Sequence, residues 1–260
     1  MELFGWNVPG NTYIDFCEEC ISDENKFNNF KNNPHYTGIL EHASYENGRV
    51  YIEYLEKMTN YTNEIQPFLN EWKENDIYGN TTKFFYERYS NISPTTLSYI
   101  YNYIKIKERL PDIDNFKNIV EIGGGYGGQC KIISNKVKFD SYTIFDLKGP
   151  ALLQSKYLDL LNVKNTECLY PSIFDKFNNK DIDLIISTFA WSELSKEVQL
   201  FYFDNYIKKA KHGYFRCNLC YSGLMREEII DLFSKANFAN LFIGQEEVSV
   251  QDNSTIMFIW

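Results

Sequence analysis

No stretch of the 260 residues approaches the roughly 18 consecutive apolar residues that a membrane-spanning helix requires. A basic excess is also missing. The formal net charge is −9, and a face that neutralises phosphates needs lysine and arginine, so neither nucleic acid nor membrane is an expected partner. Residues 1–10 show neither the basic n-region nor the apolar core of a signal peptide, which makes the cytoplasm of a cell, or of an infected host cell, the expected location. Histidine is scarce: only His35, His42 and His212 occur, so ready proton acceptors near neutral pH are few. The six cysteines have no disulfide-framework spacing. Cys17-Glu-Glu-Cys20 falls in a helix-like stretch, and Cys217 ends a strand on which residues three apart point to opposite faces. Both Cys-x-x-Cys pairs therefore read as reduced, mostly buried thiols rather than zinc knuckles. What is plentiful is aromatic, with 20 Tyr and 20 Phe beside many Asn, Ile and Lys. That mixture is the compositional bias of an AT-rich genome before it is a sign of function.

Two regions have different periodicities. Residues 1–115 read as a mainly helical cap: apolar residues recur at spacings of three and four over 48–69 and 95–110. The second helix follows Ser93-Pro94, a capping residue with proline in the first turn, and Pro111 ends it. Residues 116–260 alternate strand and helix patterns, the mark of a parallel α/β sheet. Strands are expected at 119–122, 141–145, 166–169, 183–188 and 213–217, with helices at 128–135, 151–161, 196–210 and 224–236. Two closing strands, 241–250 and 254–260, flank Gln251-Asp252-Asn253, a composition suited to a hairpin turn. A doubly wound sheet that closes with an antiparallel hairpin is the Rossmann-like class I methyltransferase arrangement. A dinucleotide-binding domain would continue with a parallel sixth strand.

Between the first strand and its helix lies Glu121-Ile122-Gly123-Gly124-Gly125-Tyr126-Gly127-Gly128. Glycines there permit positive φ and close approach of a ligand to the backbone. Asp146 ends the second strand, where a carboxylate accepts from ribose hydroxyls. Gly123, Gly125 and Gly128 also satisfy the dinucleotide fingerprint, so their neighbours must choose the ligand. Glu121 would oppose a pyrophosphate at the helix N-terminus but suits a ligand carrying a sulfonium and an ammonium. A Tyr-x-x-x-Lys pair follows in NAD-dependent epimerases; here Tyr103 and Lys107 precede the loop. The reading is S-adenosylmethionine (SAM), released as S-adenosylhomocysteine (SAH). Its expected contacts are Glu121, Gly123, Gly124, Gly125, Tyr126, Gly127, Gln129, Asp146, Leu147, Ser187 and Thr188. An NAD(P)-dependent sugar epimerase or reductase, or a SAM-fold subunit without activity, are the alternatives.

The runs VEIGGGYGGQ (120–129), DL (146–147), STFAWSEL (187–194), NNPHYTGILEH (32–42) and ISPTTLSYI (92–100) resemble the sugar O-methyltransferases of bacterial and giant-virus surface-glycan clusters. Relatives in that family commonly carry arginine where this chain has Ser98. The resemblance implies methyl transfer to a hydroxyl of a sugar or nucleotide-sugar. A sugar hydroxyl is a poor acid, so a positioned base or an acidifying divalent metal is needed, although no metal ligand set stands out.

Ligands of open α/β sheets sit beyond the carboxyl ends of the strands. Glu193, in the loop after the fourth strand, is the first candidate base; the alternative is a carboxylate that complements a helix dipole. His42 is the second candidate, reaching in from the cap. Trp191 and Asn218 are expected against the acceptor, and Arg88 and Tyr89 over the cofactor. His212 is expected in the loop before the fifth strand, at the wrong end of the sheet for catalysis. The strand-four loop lacks the Asn/Asp-Pro-Pro-aromatic tetrad of enzymes that methylate amino groups of nucleic acids. A homo-oligomer is compatible with the sequence.

Overall fold

The computed structural model describes residues 12–177, 181–218, 223–245, 248 and 255–260. The N-terminal region comprises α1 (Thr12–Ser22), α2 (Glu24–Asn29), α3 (Pro34–Thr37), α4 (Tyr45–Met58) and α5 (Leu69–Lys73). A short antiparallel pair, β1 (Phe84–Tyr86) and β2 (Ser90–Ile92), and then α6 (Pro94–Arg109) complete it. The expected helix over 48–69 breaks after Met58. The Asn60 side chain accepts from the Asn63 amide at 3.3 Å and starts a separate turn, so Tyr61 leaves the α4 stripe. Helix α6 begins as its sequence dictates: Ser93 Oγ accepts from the Thr96 amide at 3.0 Å, with Pro94 in the first turn.

Then follow β3 (Asn118–Ile122), α7 (Gly128–Ser134), β4 (Ser141–Phe145), α8 (Lys148–Leu160), β5 (Thr166–Leu169) and β6 (Leu184–Thr188). The chain closes with α9 (Lys196–Asn205), β7 (His212–Cys217), α10 (Arg226–Lys235), β8 (Phe242–Gln245) and β9 (Ile256–Ile259). The seven-stranded sheet has the order β5-β4-β3-β6-β7-β9-β8. Strands β3 to β7 are parallel, while β9 lies antiparallel between β7 and β8. That inserted antiparallel strand is the class I, Rossmann-like methyltransferase topology. The described part of the closing pair is shorter than expected, and its turn at 251–253 lies outside the described residues. His212 opens β7 rather than preceding it, at the amino end of the strand as expected, and stacks on Phe116 at 5.0 Å between ring centroids.

Two-residue periodicity sorts each strand between two cores. Ile119, Leu184, Ile186, Tyr214, Met257 and Ile259 join the core that also holds cap residues. Val120, Ile122, Ile185, Phe215, Ile256 and Phe258 join the opposite core, with α9 and α10. Each such apolar side chain contributes about 1.5–3 kcal/mol when fully buried. Cap and sheet share the first core directly. Phe30 meets Tyr126 edge-on at 5.8 Å, and buried Lys31 Nζ lies 3.8 Å from the Tyr126 ring centroid and donates to the Asn75 carbonyl at 2.7 Å. The cap is thereby held above the carboxyl ends of β3 and β4. Among the described residues no helix is long and apolar enough to cross a membrane.

Candidate functional site

Where β3 ends, Gly123 (φ 76°) and Gly125 (φ 59°) take left-handed backbone that side chains other than glycine adopt only with strain. A Cβ at Gly125 would lie 2.8 Å from Leu40 Cδ1, so the cap closes directly on the loop. The Gly124 amide donates to Asp146 Oδ2 at 3.0 Å, Gln154 Nε2 donates to the same oxygen at 2.6 Å, and the Leu147 amide donates to Oδ1 at 2.8 Å. Burial pushes the Asp146 carboxyl up to about 6, against the pull of these donors.

A cavity of about 270 Å³ opens beside this loop, between the cap and the sheet. Gly123, Gly125, Asp146 and Leu147 line one end. Thr188, Glu193 and Asn218 line the side beyond β6 and β7, and His42 contributes from the cap. Asn218 Nδ2 donates to Glu193 Oε1 at 3.0 Å, and the Asn218 amide donates to Ser192 Oγ at 2.9 Å. Burial raises the Glu193 carboxyl above the ordinary range, and the Asn218 bond offsets part of that rise. The three remote runs 32–42, 92–100 and 187–194 all reach this one cavity, through residues such as His42, Ser98 and Glu193.

Several expected contacts lie behind the cavity rather than on its wall. Glu121 is 1 % exposed; Tyr142 Oη donates to its Oε2 at 2.7 Å, and burial pushes its carboxyl up to about 8. The parity of β3 explains this, because Glu121 points into the cap-side core rather than past the strand end. Gly124 and Gly127 shape the loop, the Gly127 amide donating to the Gly124 carbonyl at 2.8 Å. Tyr126 packs edge-on against Tyr157 at 5.0 Å, and Gln129 joins α7 to α6 by accepting from Asn102 Nδ2 at 2.9 Å. Ser187 Oγ donates to the Ile122 carbonyl at 2.9 Å. Trp191 is a clearer correction: it is fully buried, donates Nε1–H to the Gln199 carbonyl at 3.1 Å and packs edge-on against Phe215 and Phe233. Arg88 also departs from expectation. It sits 4.0 Å from the Tyr61 ring and pairs with Glu56, away from the cavity, while Tyr89 is buried in the cap.

Glu41, Phe189 and Arg216 are among the wall residues not singled out from the sequence. Glu41 (φ 64°) accepts from Thr81 Oγ1 at 2.6 Å, and burial raises its carboxyl. Arg216 left a signal, a charge inside a mainly apolar strand, and Glu41 and Phe189 lie inside the resembling runs 32–42 and 187–194. The wall thus carries the carboxylates of Glu41, Asp146 and Glu193 against the guanidinium of Arg216. Cys17 and Cys20 are buried free thiols on α1. Among the described residues no three His, Cys, Asp or Glu side chains form a group that could hold a metal ion.

No protein-family model matches the sequence, and no curated protein matches it. Solved structures align with part of the chain. M. capricolum TrmK in complex with S-adenosyl-homocysteine aligns with a TM-score of 0.41 and 15% identity, over 60% of this chain and 66% of that one. This chain therefore spans just under two thirds of TrmK. N-methyltransferase NodS from Bradyrhizobium japonicum, with the same ligand, gives 0.41 and 15% over 55% and 76%. The N-terminal domain of EvdMO1, in the presence of SAH and D-fucose, gives 0.48 and 12% over 75% and 94%. The topology above stands on the strand order itself, and these likenesses assign no activity or substrate to the chain.

Proposed function

We propose that this chain is a SAM-dependent O-methyltransferase that acts on a hydroxyl of a sugar or nucleotide-sugar in surface-glycan biosynthesis. One observation carries the reading: a single cavity joins the glycine loop and Asp146 to the Glu193–Asn218 pair beneath His42. The residues present fit the cofactor. Gly123 and Gly125 line the cavity without putting side chains of their own into it, and the acidic wall suits a cationic ligand. When bound, SAM supplies a methyl group activated by its sulfonium. Gly123 and Gly125 would admit the cofactor to the backbone, and Asp146 would accept from its ribose hydroxyls. With a cap at 1–115 and a cofactor domain at 116–260, the acceptor would occupy the space between them.

Glu193 is the proposed base. Its raised pKa brings the carboxylate closer to neutrality, where a base removes a proton most effectively at working pH. Asn218 orients it, and His42 closes the same space from above. Methyl transfer also needs the acceptor oxygen held in line with the breaking bond, a positioning task suited to the rigid ends of β6 and β7. Sugar acceptors are favoured because both of the more distinctive resembling motifs, SPTTL (93–97) and FAWSE (189–193), contribute to this cavity, as does the run 32–42. The test is incubation with SAM and a panel of sugars and nucleotide-sugars, read by mass spectrometry for the gain of one methyl group. Failure to methylate any hydroxyl acceptor, with SAM bound, would overturn the acceptor assignment.

A further inference from the structure

Strand β7 alternates Tyr214 and Arg216 toward the cap with Phe215 and Cys217 toward the opposite core. Arg216, 3 % exposed, sets a full positive charge in the cap-side layer among Ile186, Tyr214 and Met257, a layer that also buries Glu121 and Asn102. Burying a guanidinium is costly, and an apolar side chain of similar volume would pack there without that cost. The placement therefore asks for a reason beyond folding.

The surroundings supply one. Arg216 lines the cavity, pairs in register with Thr188 and lies two residues before Asn218. Its Nη1 donates to Asn102 Oδ1 at 3.1 Å, and its guanidinium lies 4.7 Å from the Phe189 ring and 5.5 Å from the Tyr101 ring. Phe189 has φ 75° and ψ −45°, a conformation that costs a non-glycine residue about 1–3 kcal/mol. Three bonds hold it: its amide donates to the Arg216 carbonyl at 2.7 Å, and its carbonyl accepts from the Ser192 amide at 2.9 Å and Ser192 Oγ at 2.7 Å. The strain sets an aromatic face against the guanidinium at the cavity wall. Strand β7 lies three positions across the sheet from β4 and Asp146, roughly 14 Å at ordinary strand spacing. The charge is thus on the acceptor side, beside Glu193 and Asn218, and away from the cofactor loop.

We infer that Arg216 recognises an anionic group, a carboxylate or a phosphate, carried by the acceptor sugar, with Phe189 packing on the sugar's C–H face. This rests on the methyltransferase reading and narrows its substrate class to acidic sugars, sugar phosphates and nucleotide-sugars. Arginine suits the task because its planar fork binds two oxygens of such a group at once.

The experiment titrates protein saturated with SAH, by calorimetry, with a panel of neutral hexoses, the matching hexuronates, the hexose 1-phosphates and their nucleotide diphosphates. The wild type is expected to bind at least one anionic class about tenfold or more tightly than the neutral hexose. Whether hexuronate or phosphate wins identifies the group. Arg216→Gln is expected to erase that ratio while SAH affinity stays within a few-fold. Arg216→Lys keeps the charge but not the fork; it is expected to retain part of the preference, and it serves if Arg216→Gln does not fold. Equal binding of neutral and anionic sugars, no sugar binding at all, or a preference unchanged in both variants overturns the inference. A wild type that does not bind SAH instead overturns the underlying methyltransferase reading.

Discussion

Asn218 Nδ2 donates to Glu193 Oε1 at 3.0 Å, which fixes the loop after β6 against the end of β7. The bond leaves the carboxylate on the cavity wall, half withdrawn from water. Glu193→Gln preserves both the shape and the Asn218 contact but cannot take a proton. Turnover should fall by roughly 10²–10⁴-fold, the usual contribution of a general base. SAH affinity and melting temperature should not change. His42→Ala is the companion variant. Near-normal turnover in both, with cofactor still bound, would remove these residues from the chemistry. In the wild type, the acidic limb of the kcat/KM profile should lie above the ordinary carboxylate range, because burial raises the Glu193 pKa.

Glu121 sets a different pH dependence, one of stability. Its folded pKa of about 8 stands above the ordinary 4.5 because the carboxyl is buried under Tyr142. The folded state therefore binds the proton more tightly than the unfolded chain. The resulting stability is fully present below pH 4.5 and is lost as pH rises through about 8, with a slope of at most about 1.4 kcal/mol per pH unit. Glu121→Gln should flatten that slope and raise the urea midpoint at pH 8–9. An unchanged midpoint across this window would show that the carboxyl ionises freely in the folded protein.

Gly125→Ala introduces a side chain at φ 59° and 2.8 Å from Leu40 Cδ1. Left-handed backbone costs alanine about 1–2 kcal/mol, and the cap must also shift. Thermal unfolding should come several degrees lower, and SAH affinity should weaken by about tenfold or more. A variant with wild-type affinity would show that the cap does not close on the loop at this point.

Trp191→Ala should behave as a core truncation, costing about 3–5 kcal/mol in chemical denaturation. Trp191→Phe keeps the contacts with Phe215 and Phe233 and gives up only the bond to Gln199. It should retain KM for the acceptor. A large KM change in Trp191→Phe would return the residue to the substrate wall.

The sheet was legible because buried parallel strands are short, mostly apolar runs, as in Ile119-Val120 and Leu184-Ile185-Ile186. The glycine loop and Asp146 followed from their places at strand ends. Residues inside that frame were harder to place. Glu121 and Trp191 both lie next to the site in sequence, yet strand parity turns one into the cap-side core and a buried turn draws the other inward. Arg216 and Glu41 reach the cavity from β7 and from a strained cap turn. Their proximity depends on how the cap docks, which no local pattern encodes. The break after Met58 is similar: the apolar spacing continues to Tyr61, and only the competing Asn60 cap shows that the helix does not.

The loop from Gly123 to Gly127, with Asp146, is the proposed SAM site. Calorimetric titration of the wild-type protein with SAH, and separately with NADH, tests it most directly. Saturable one-site binding of SAH, none of NADH, and a marked loss of SAH affinity in Asp146→Ala are the expected results. Binding of NADH with no response to SAH would contradict the account.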